Sequence, residues 1–203
     1  MFENWIFWLA IGYLSGSLPF SVWLCKLFLS KDVRSYGDHN PGAVNAWRAG
    51  GFMIGITVLL FDYLKGALPV TLASYLFGIE GWQLVPVAIA PVAGHAFSIF
   101  LKFKGGKSIT TSFGIWTGVT LWEAPTLLGV FLGIIYFIQQ RDSWNFAIAM
   151  ICLLVYLIAR QFPYPVVTVW ACNMLIFCLK SWSELKLKPS LRPWLIKYLQ
   201  NHR

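Results

Sequence analysis

The chain has 203 residues, of which 58% are hydrophobic and only 12% charged. Soluble domains carry about 25% charged residues, so this composition excludes an ordinary soluble domain and fits a polytopic helical membrane protein. The formal charge of +8 falls mainly in short segments between apolar runs, and no aromatic-interleaved basic stripe marks a nucleic-acid binder.

Apolar runs predict spans at about 4–25, 52–77, 83–101, 109–122, 125–140, 144–159 and 163–180. The fourth and fifth are short and joined by a tight turn at Glu123–Pro125, so five or six spans stand as alternatives to seven. No small-residue cleavage site follows the first run, which predicts a retained helix and not a signal peptide. Its Ser15, Gly16, Ser17 and Ser21 read as helix-packing residues. In the second span, Asp62 and Lys65 stand three apart and are expected to pair toward the bundle interior, because unpaired charge is costly at that depth. Seven spans with the N-terminus outside put segments 26–51, 102–108, 141–143 and 181–203 inside, with most of the cations. Arg160, Glu3, Glu80 and Glu123 then lie outside. Trp5, Trp8, Trp82, Trp122, Trp144 and Trp182 fall near span ends, where amphipathic rings sit. Cys25, Cys152, Cys172 and Cys178 lack metal spacing and read as small buried residues. Leu191, Trp194, Leu195, Tyr198 and Leu199 form a helical stripe, which predicts a short interfacial C-terminal helix. With no internal repeat, a single membrane-embedded domain over 1–203 is the simplest organisation.

Two polar islands interrupt this pattern. The first, Tyr36–Gly51, reads YGDHNPGAVNAWRAGG. Pro41 fixes a turn, and Asn40, Asn45 and Arg48 can hydrogen-bond a ligand. Asn45 and Arg48 share a face if a helix starts near Pro41. Asp38 beside His39 offers an acid–base pair. A solvated turn with an aspartate cap would use the same residue types.

The second island, Gly94–Ser108, reads GHAFSIFLKFKGGKS. His95 and Lys102 are seven apart, on one helix face. Lys104, Gly105, Gly106, Lys107 and Ser108 then lead into a span whose first turn holds Thr110, Thr111 and Ser112. Glycine N–H groups, a helix start, hydroxyls and a lysine predict a phosphate site. It is not a P-loop, since Leu101 stands where that motif needs its first glycine. A positive-inside loop with a glycine turn is the plainer alternative.

These segments resemble the PlsY family of bacterial integral-membrane acyl-phosphate:glycerol-3-phosphate acyltransferases. The resemblance runs through GSLPFSVWLCKL at Gly16–Leu27, GDHNPGAVNAWRAGG at Gly37–Gly51, FDYLKGALP at Phe61–Pro69 and GHAFSIFLKFKGGKSITTSFG at Gly94–Gly114. It implies an all-α bundle of about seven transmembrane helices in the bacterial inner membrane. The N-terminus would be outside, the C-terminus cytoplasmic and the active site facing the cytoplasm. The implied reaction moves a fatty acyl group from acyl phosphate to the 1-hydroxyl of glycerol 3-phosphate, giving lysophosphatidate and phosphate. It implies no metal, no other cofactor and no acyl-CoA. Membrane lipids and an enzyme that forms acyl phosphate are the implied partners. Asp38, Arg48, His95 and Lys107 are the candidate catalytic residues. His39, Asn40, Gly42, Asn45, Lys104, Gly105, Gly106, Ser108 and Thr111 are the candidate substrate-binding residues. Three departures mark a divergent member. The family's usual GSGN is Gly37-Asp38-His39-Asn40 here. Val44 and Ser108 replace a threonine and a glycine. Ser181 and Glu184 stand near where a His-x-x-Asn motif belongs. A transporter for a phosphorylated metabolite and a silent scaffolding relative are the competing readings.

Overall fold

The computed structural model describes residues 4–201. Its regular structure is helical, with one isolated β-bridge between Gln139 and Leu191. The first span is not one helix as expected. It divides into α1 (Trp5–Ser17) and α2 (Phe20–Leu29). Pro19 disfavours helical geometry in the residue before it, and Leu18 is accordingly extended, with φ −62° and ψ 118°. The break frees the Leu18 carbonyl. The buried Lys65 ammonium donates to it at 3.0 Å and pairs with Asp62 at 2.6 Å. The Asp62–Lys65 pair expected from the sequence is therefore formed, and it also satisfies a backbone group that bilayer depth would leave unpaired.

Helix α3 (Ala43–Thr71) begins well before residue 52, where the apolar run predicted a start, because the polar turn Ala43–Gly50 is already helical. The kink falls at Gly51, whose φ of 76° is open to glycine at no steric cost. A π-turn at Leu72–Leu76 extends α3 beyond Pro69. Then come α4 (Gly81–Ala96), α5 (Ile109–Thr120), α6 (Glu123–Ile138), α7 (Asp142–Ala159), α8 (Tyr164–Leu185) and α9 (Pro193–Asn201). Among the described residues, five stretches are long and apolar enough to cross a bilayer: Trp5–Leu29, Ala43–Leu76, Gly81–Leu101, Asp142–Ala159 and Tyr164–Leu185. Helix α6 is apolar but shorter. Helix α5 has 12 residues. At 1.5 Å per residue it is about 18 Å long, short of the roughly 30 Å hydrocarbon core.

Helix α1 packs on α4, and α3 packs on α5. Both crossings are close enough to exclude a Cβ. One added at Gly94 would lie 2.2 Å from the Tyr13 carbonyl oxygen, and one at Gly114 would lie 2.2 Å from that of Tyr63. The main core gathers Trp116, Phe146, Met150, Leu153 and Phe177. Asn173 ties α8 to α5 within it, accepting from Trp116 Nε1 at 3.2 Å and donating to Ser112 Oγ at 2.8 Å. Cys25 is buried and the other three cysteines are half-buried.

The tail is helical as expected, and it is anchored to the end of α6. Arg192 Nε donates to the Tyr136 carbonyl at 2.5 Å, and Trp194 Nε1 to that of Phe137 at 3.2 Å. Trp194 and Tyr198 are exposed. Glu3 and the side chain of Leu199 lie outside the described residues.

Candidate active site

Two polar links meet at one end of the bundle: residues 30–42, between α2 and α3, and residues 97–108, between α4 and α5. In the first link, Gly37 and His39 take left-handed conformations, with φ 55° and 62°. Together they turn the Asp38 carboxylate toward α3. Asn45 Nδ2 donates to Asp38 Oδ1 at 2.7 Å and to the Asn40 carbonyl at 2.9 Å. Arg48 donates to Asn45 Oδ1 at 3.1 Å, so Asn45 and Arg48 do share a helix face. Gly42 is the N-cap of α3.

The second link folds back on the end of α4. Lys102 and Phe103 are left-handed, with φ 52° and 63°. The Gly105 N–H donates to the Ala96 carbonyl at 3.2 Å, and the Gly106 N–H to that of His95 at 3.1 Å. Two expectations fail here. Because α4 stops at Ala96, His95 and Lys102 share no helix face. The glycine N–H groups, expected to face an anion, are bonded to α4 carbonyls. What the glycines supply is proximity, since a Cβ on Gly106 would lie 2.4 Å from His95 Nε2.

The hydroxyls also turn inward. Ser108 Oγ donates to the Val92 carbonyl, Thr111 Oγ1 to that of Asp62 and Ser112 Oγ to that of Ser108, at 3.0, 3.0 and 2.8 Å. The first two fasten α5 to α4 and α3. With its proton committed to Asp62, Thr111 accepts from His95 Nδ1 at 3.3 Å. That assigns the bare lone pair of His95 to Nε2, on the Gly106 side.

The two links join through Lys107. Its N–H donates to Asn40 Oδ1 at 3.1 Å, and its ammonium lies 2.6 Å from Asp38 Oδ2. It also pairs with Glu184 Oε1, while Ser143 Oγ holds Glu184 Oε2 at 2.5 Å. Burial works to raise the Asp38 pKa. The Lys107 hydrogen bond and charge, with bonds from Asn45 and Asn40, outweigh it and hold the carboxyl below its ordinary value. The expected Asp38–His39 acid–base pair is not formed. Both Asp38 oxygens are engaged elsewhere, and His39 Nδ1 lies 2.8 Å from the Arg34 carbonyl.

A cleft of about 280 Å³ opens here, lined by Asp38, Asn45, Arg48, Lys107, Arg141 and Glu184 among others. A second, of about 140 Å³, shares Asn40, Val44, Lys107 and Ile109 with it and runs past Leu59 to His95 and Asp62. Lys104 and Gly105 line a neighbouring recess with His39 and Lys180. Residues of the site missed as candidates include Arg141, Ser143 and Glu184. Arg141 and Ser143 had only their place in an inner segment to mark them. Glu184 stood near a motif position whose usual residue type it does not match. Among the described residues, no group of three or more His, Cys, Asp or Glu could hold a metal ion.

The sequence profile described as glycerol-3-phosphate acyltransferase matches residues 6–186. The chain belongs to that acyltransferase family. A glycerol-3-phosphate acyltransferase of Pasteurella multocida is 40% identical over 174 residues, 85% of each chain. One of Enterococcus faecalis is 49% identical over 107 residues, covering 53% of this chain and 49% of the relative. The fold matches a crystal structure of the integral membrane glycerol 3-phosphate acyltransferase PlsY (YgiH) in its glycerol 3-phosphate form. The TM-score is 0.82, with 28% identity and 90% of both chains covered. The lysophosphatidic acid form of that acyltransferase matches at a TM-score of 0.80. Membership makes this chain a multi-pass membrane acyltransferase of phospholipid synthesis, with the two polar links as its candidate active site.

Proposed function

We propose that this enzyme transfers a fatty acyl group from acyl phosphate to the 1-hydroxyl of glycerol 3-phosphate, releasing lysophosphatidate and inorganic phosphate. The observation that carries the proposal is the pairing of the two clefts. A phosphate-sized polar cleft with Arg48, Lys107 and Arg141 opens directly into a narrower one lined by Val44, Leu59 and Ile109. Arginine and lysine suit phosphate oxygens, and exposed Val44 and Leu59 open the second cleft to lipid. Acyl phosphate is already an activated mixed anhydride. Holding both phosphates and the hydroxyl in register can therefore supply much of the rate without a covalent enzyme intermediate. Asp38 then acts as a positioning residue for Lys107, and His95 braces the Gly105–Gly106 turn.

The cation distribution supports seven legs (α1 with α2, then α3 to α8) in one domain over 1–203, with the N-terminus outside. Lys31, Arg34, Lys104, Arg141, Lys186 and Lys188 lie at the cleft end, and Arg160 with Glu123 lies at the other. The cleft then faces the cytoplasm, where a soluble phosphorylated acceptor and an acyl-phosphate-forming enzyme can reach it. The test is purified protein with acyl phosphate and labelled glycerol 3-phosphate, with and without a chelator. Lysophosphatidate is expected in both cases. No product, product from acyl-CoA alone, or activity lost to chelation and restored by a divalent ion would each refute the assignment.

A further inference from the structure

Lys107 is clamped from two sides. Its ammonium has three N–H donors. One bonds Asp38 Oδ2 at 2.6 Å and another bonds Glu184 Oε1. Each carboxylate is steadied by one further bond. The second oxygen of Asp38 takes Asn45 at 2.7 Å, and that of Glu184 takes Ser143 at 2.5 Å. The link before α3, the start of α7 and the end of α8 thus bring two anchored anions onto one cation. That cation is only 13% exposed. Arg48 and Arg141 line the same cleft, and among the described residues neither is in an ion pair. A phosphate entering the cleft meets two arginines whose bonds are to neutral groups and one lysine whose anionic partners must be displaced or shared.

We propose that Glu184 is an affinity-setting residue of the phosphate pocket, an internal counter-ion that phosphate displaces from Lys107 on entry and that takes Lys107 back on release. The proposal rests on the reading of this cleft as the phosphate site. Two fixed carboxylates beside the cation weaken the hold of any anion, including the product phosphate. They also keep the empty pocket from leaving a half-buried ammonium unpaired. Asp38 contributes to the same clamp. Glu184 is the better handle, because among the described residues its carboxylate takes one other bond, from a neutral serine hydroxyl that glutamine can also accept.

The experiment compares inorganic phosphate binding by wild type and Glu184→Gln. It is read as thermal protection of the detergent-purified protein and as the inhibition constant of phosphate in turnover. Glu184→Gln should bind phosphate about threefold to tenfold more tightly and lower the KM for glycerol 3-phosphate in the same sense. Ser143→Ala loosens Glu184 without removing its charge, so it should shift phosphate affinity the same way and by less. It also carries the test if the glutamine variant fails to fold. Unchanged or weaker phosphate binding in the variants would overturn the clamp. Thermal protection needs no turnover. An inactive wild type whose variants still bind phosphate more tightly would sink the acyltransferase chemistry alone, and an active wild type with unshifted variants would sink the clamp alone.

Discussion

A single methyl group at residue 106 tests whether the site depends on the close stacking of the second polar link against α4. In Gly106→Ala, the new Cβ would stand 2.4 Å from His95 Nε2 and 3.1 Å from Asn40 Oδ1. Ordinary contact begins near 3.4 Å, so the imidazole or the loop has to give by about 1 Å. The imidazole has little room. It is 8% exposed, its Nδ1 is fixed on Thr111, and the His95 carbonyl takes the Gly106 N–H. The loop therefore gives, and Asn40 with it, since Asn40 Oδ1 receives the Lys107 N–H. Overpacking of this kind costs about 1–3 kcal/mol, and a displacement of about 1 Å at a reacting site can cost 10²-fold in rate. Gly106→Ala should remain folded and lose about tenfold to a hundredfold in kcat/KM, measured as lysophosphatidate formation. Gly129→Ala, whose Cβ meets only the Phe113 ring at 3.7 Å, is the control and should behave as wild type. A Gly106→Ala enzyme at full rate would refute the stacking argument.

Lys107→Ala should abolish turnover while the protein still inserts and melts cooperatively. A charged hydrogen bond to phosphate contributes about 1.5–3 kcal/mol, and a variant with near-normal turnover would remove Lys107 from the site. Arg48→Lys should also be damaging, chiefly in KM. A point charge cannot both bond Asn45 and present a planar fork to phosphate; unchanged kinetics would show that Arg48 only braces Asn45. Asp38 is held below its ordinary pKa, so its stabilising contribution is complete above the unfolded value near 3.9 and is lost as pH falls through the folded value. Thermal melts of wild type should therefore lose stability on the acid side below about pH 4. Asp38→Asn should flatten that limb, and an unchanged limb would show that other carboxylates carry it. If Asp38→Asn and Asp38→Ser both keep full activity, Asp38 is only a turn residue.

The membrane class and the two polar islands were legible in the sequence because they are matters of composition and local spacing. Hydropathy over 20 residues is a one-dimensional signal, and so is the three-residue spacing that put Asn45 and Arg48 on one face. The intramembrane Asp62–Lys65 pair followed from the cost of lone charge in hydrocarbon. What the sequence hid depended on contacts between distant segments. Glu184 reaches Lys107 across 77 positions, and Ser143 reaches Glu184 across 41. No local pattern encodes either distance. The α1–α2 break was signalled by Pro19 and masked by the unbroken hydropathy around it. The residue types of the second island do not reveal which partners its glycines and hydroxyls take. Gly105 and Gly106 spend their N–H groups on α4, and Ser108, Thr111 and Ser112 spend their hydroxyls on carbonyls inside the bundle. Residue types supplied the inventory of donors, and packing decided where each one pointed.

The buried layer around Asp62 and Lys65 and the cleft form two connected layers, linked mainly through the main-chain carbonyls of residues 62, 65 and 95. Lys65 reaches the Leu18 carbonyl exposed by the break before α2, and the Ser15 hydroxyl returns a bond to the Lys65 carbonyl at 2.9 Å. The carbonyl of Asp62 takes the Thr111 hydroxyl, which in turn fixes His95. The α1–α2 break, α3, α4 and α5 are thereby locked in one mutual register by polar bonds, where purely apolar helices in lipid could slide or rotate. Above this layer, the His95 carbonyl and ring seat Gly106, and Gly106 delivers Lys107 to Asn40, Asp38 and Glu184. A buried salt bridge is weak evidence for stability; here the charged groups add the Asp62–Lys65 pair and the Lys65 bond to Leu18, and the other links use main-chain carbonyls. The register of these helices sets the position of Lys107, the lysine proposed to bind phosphate, and the buried pair contributes to that register through the bond from Lys65 to the Leu18 carbonyl.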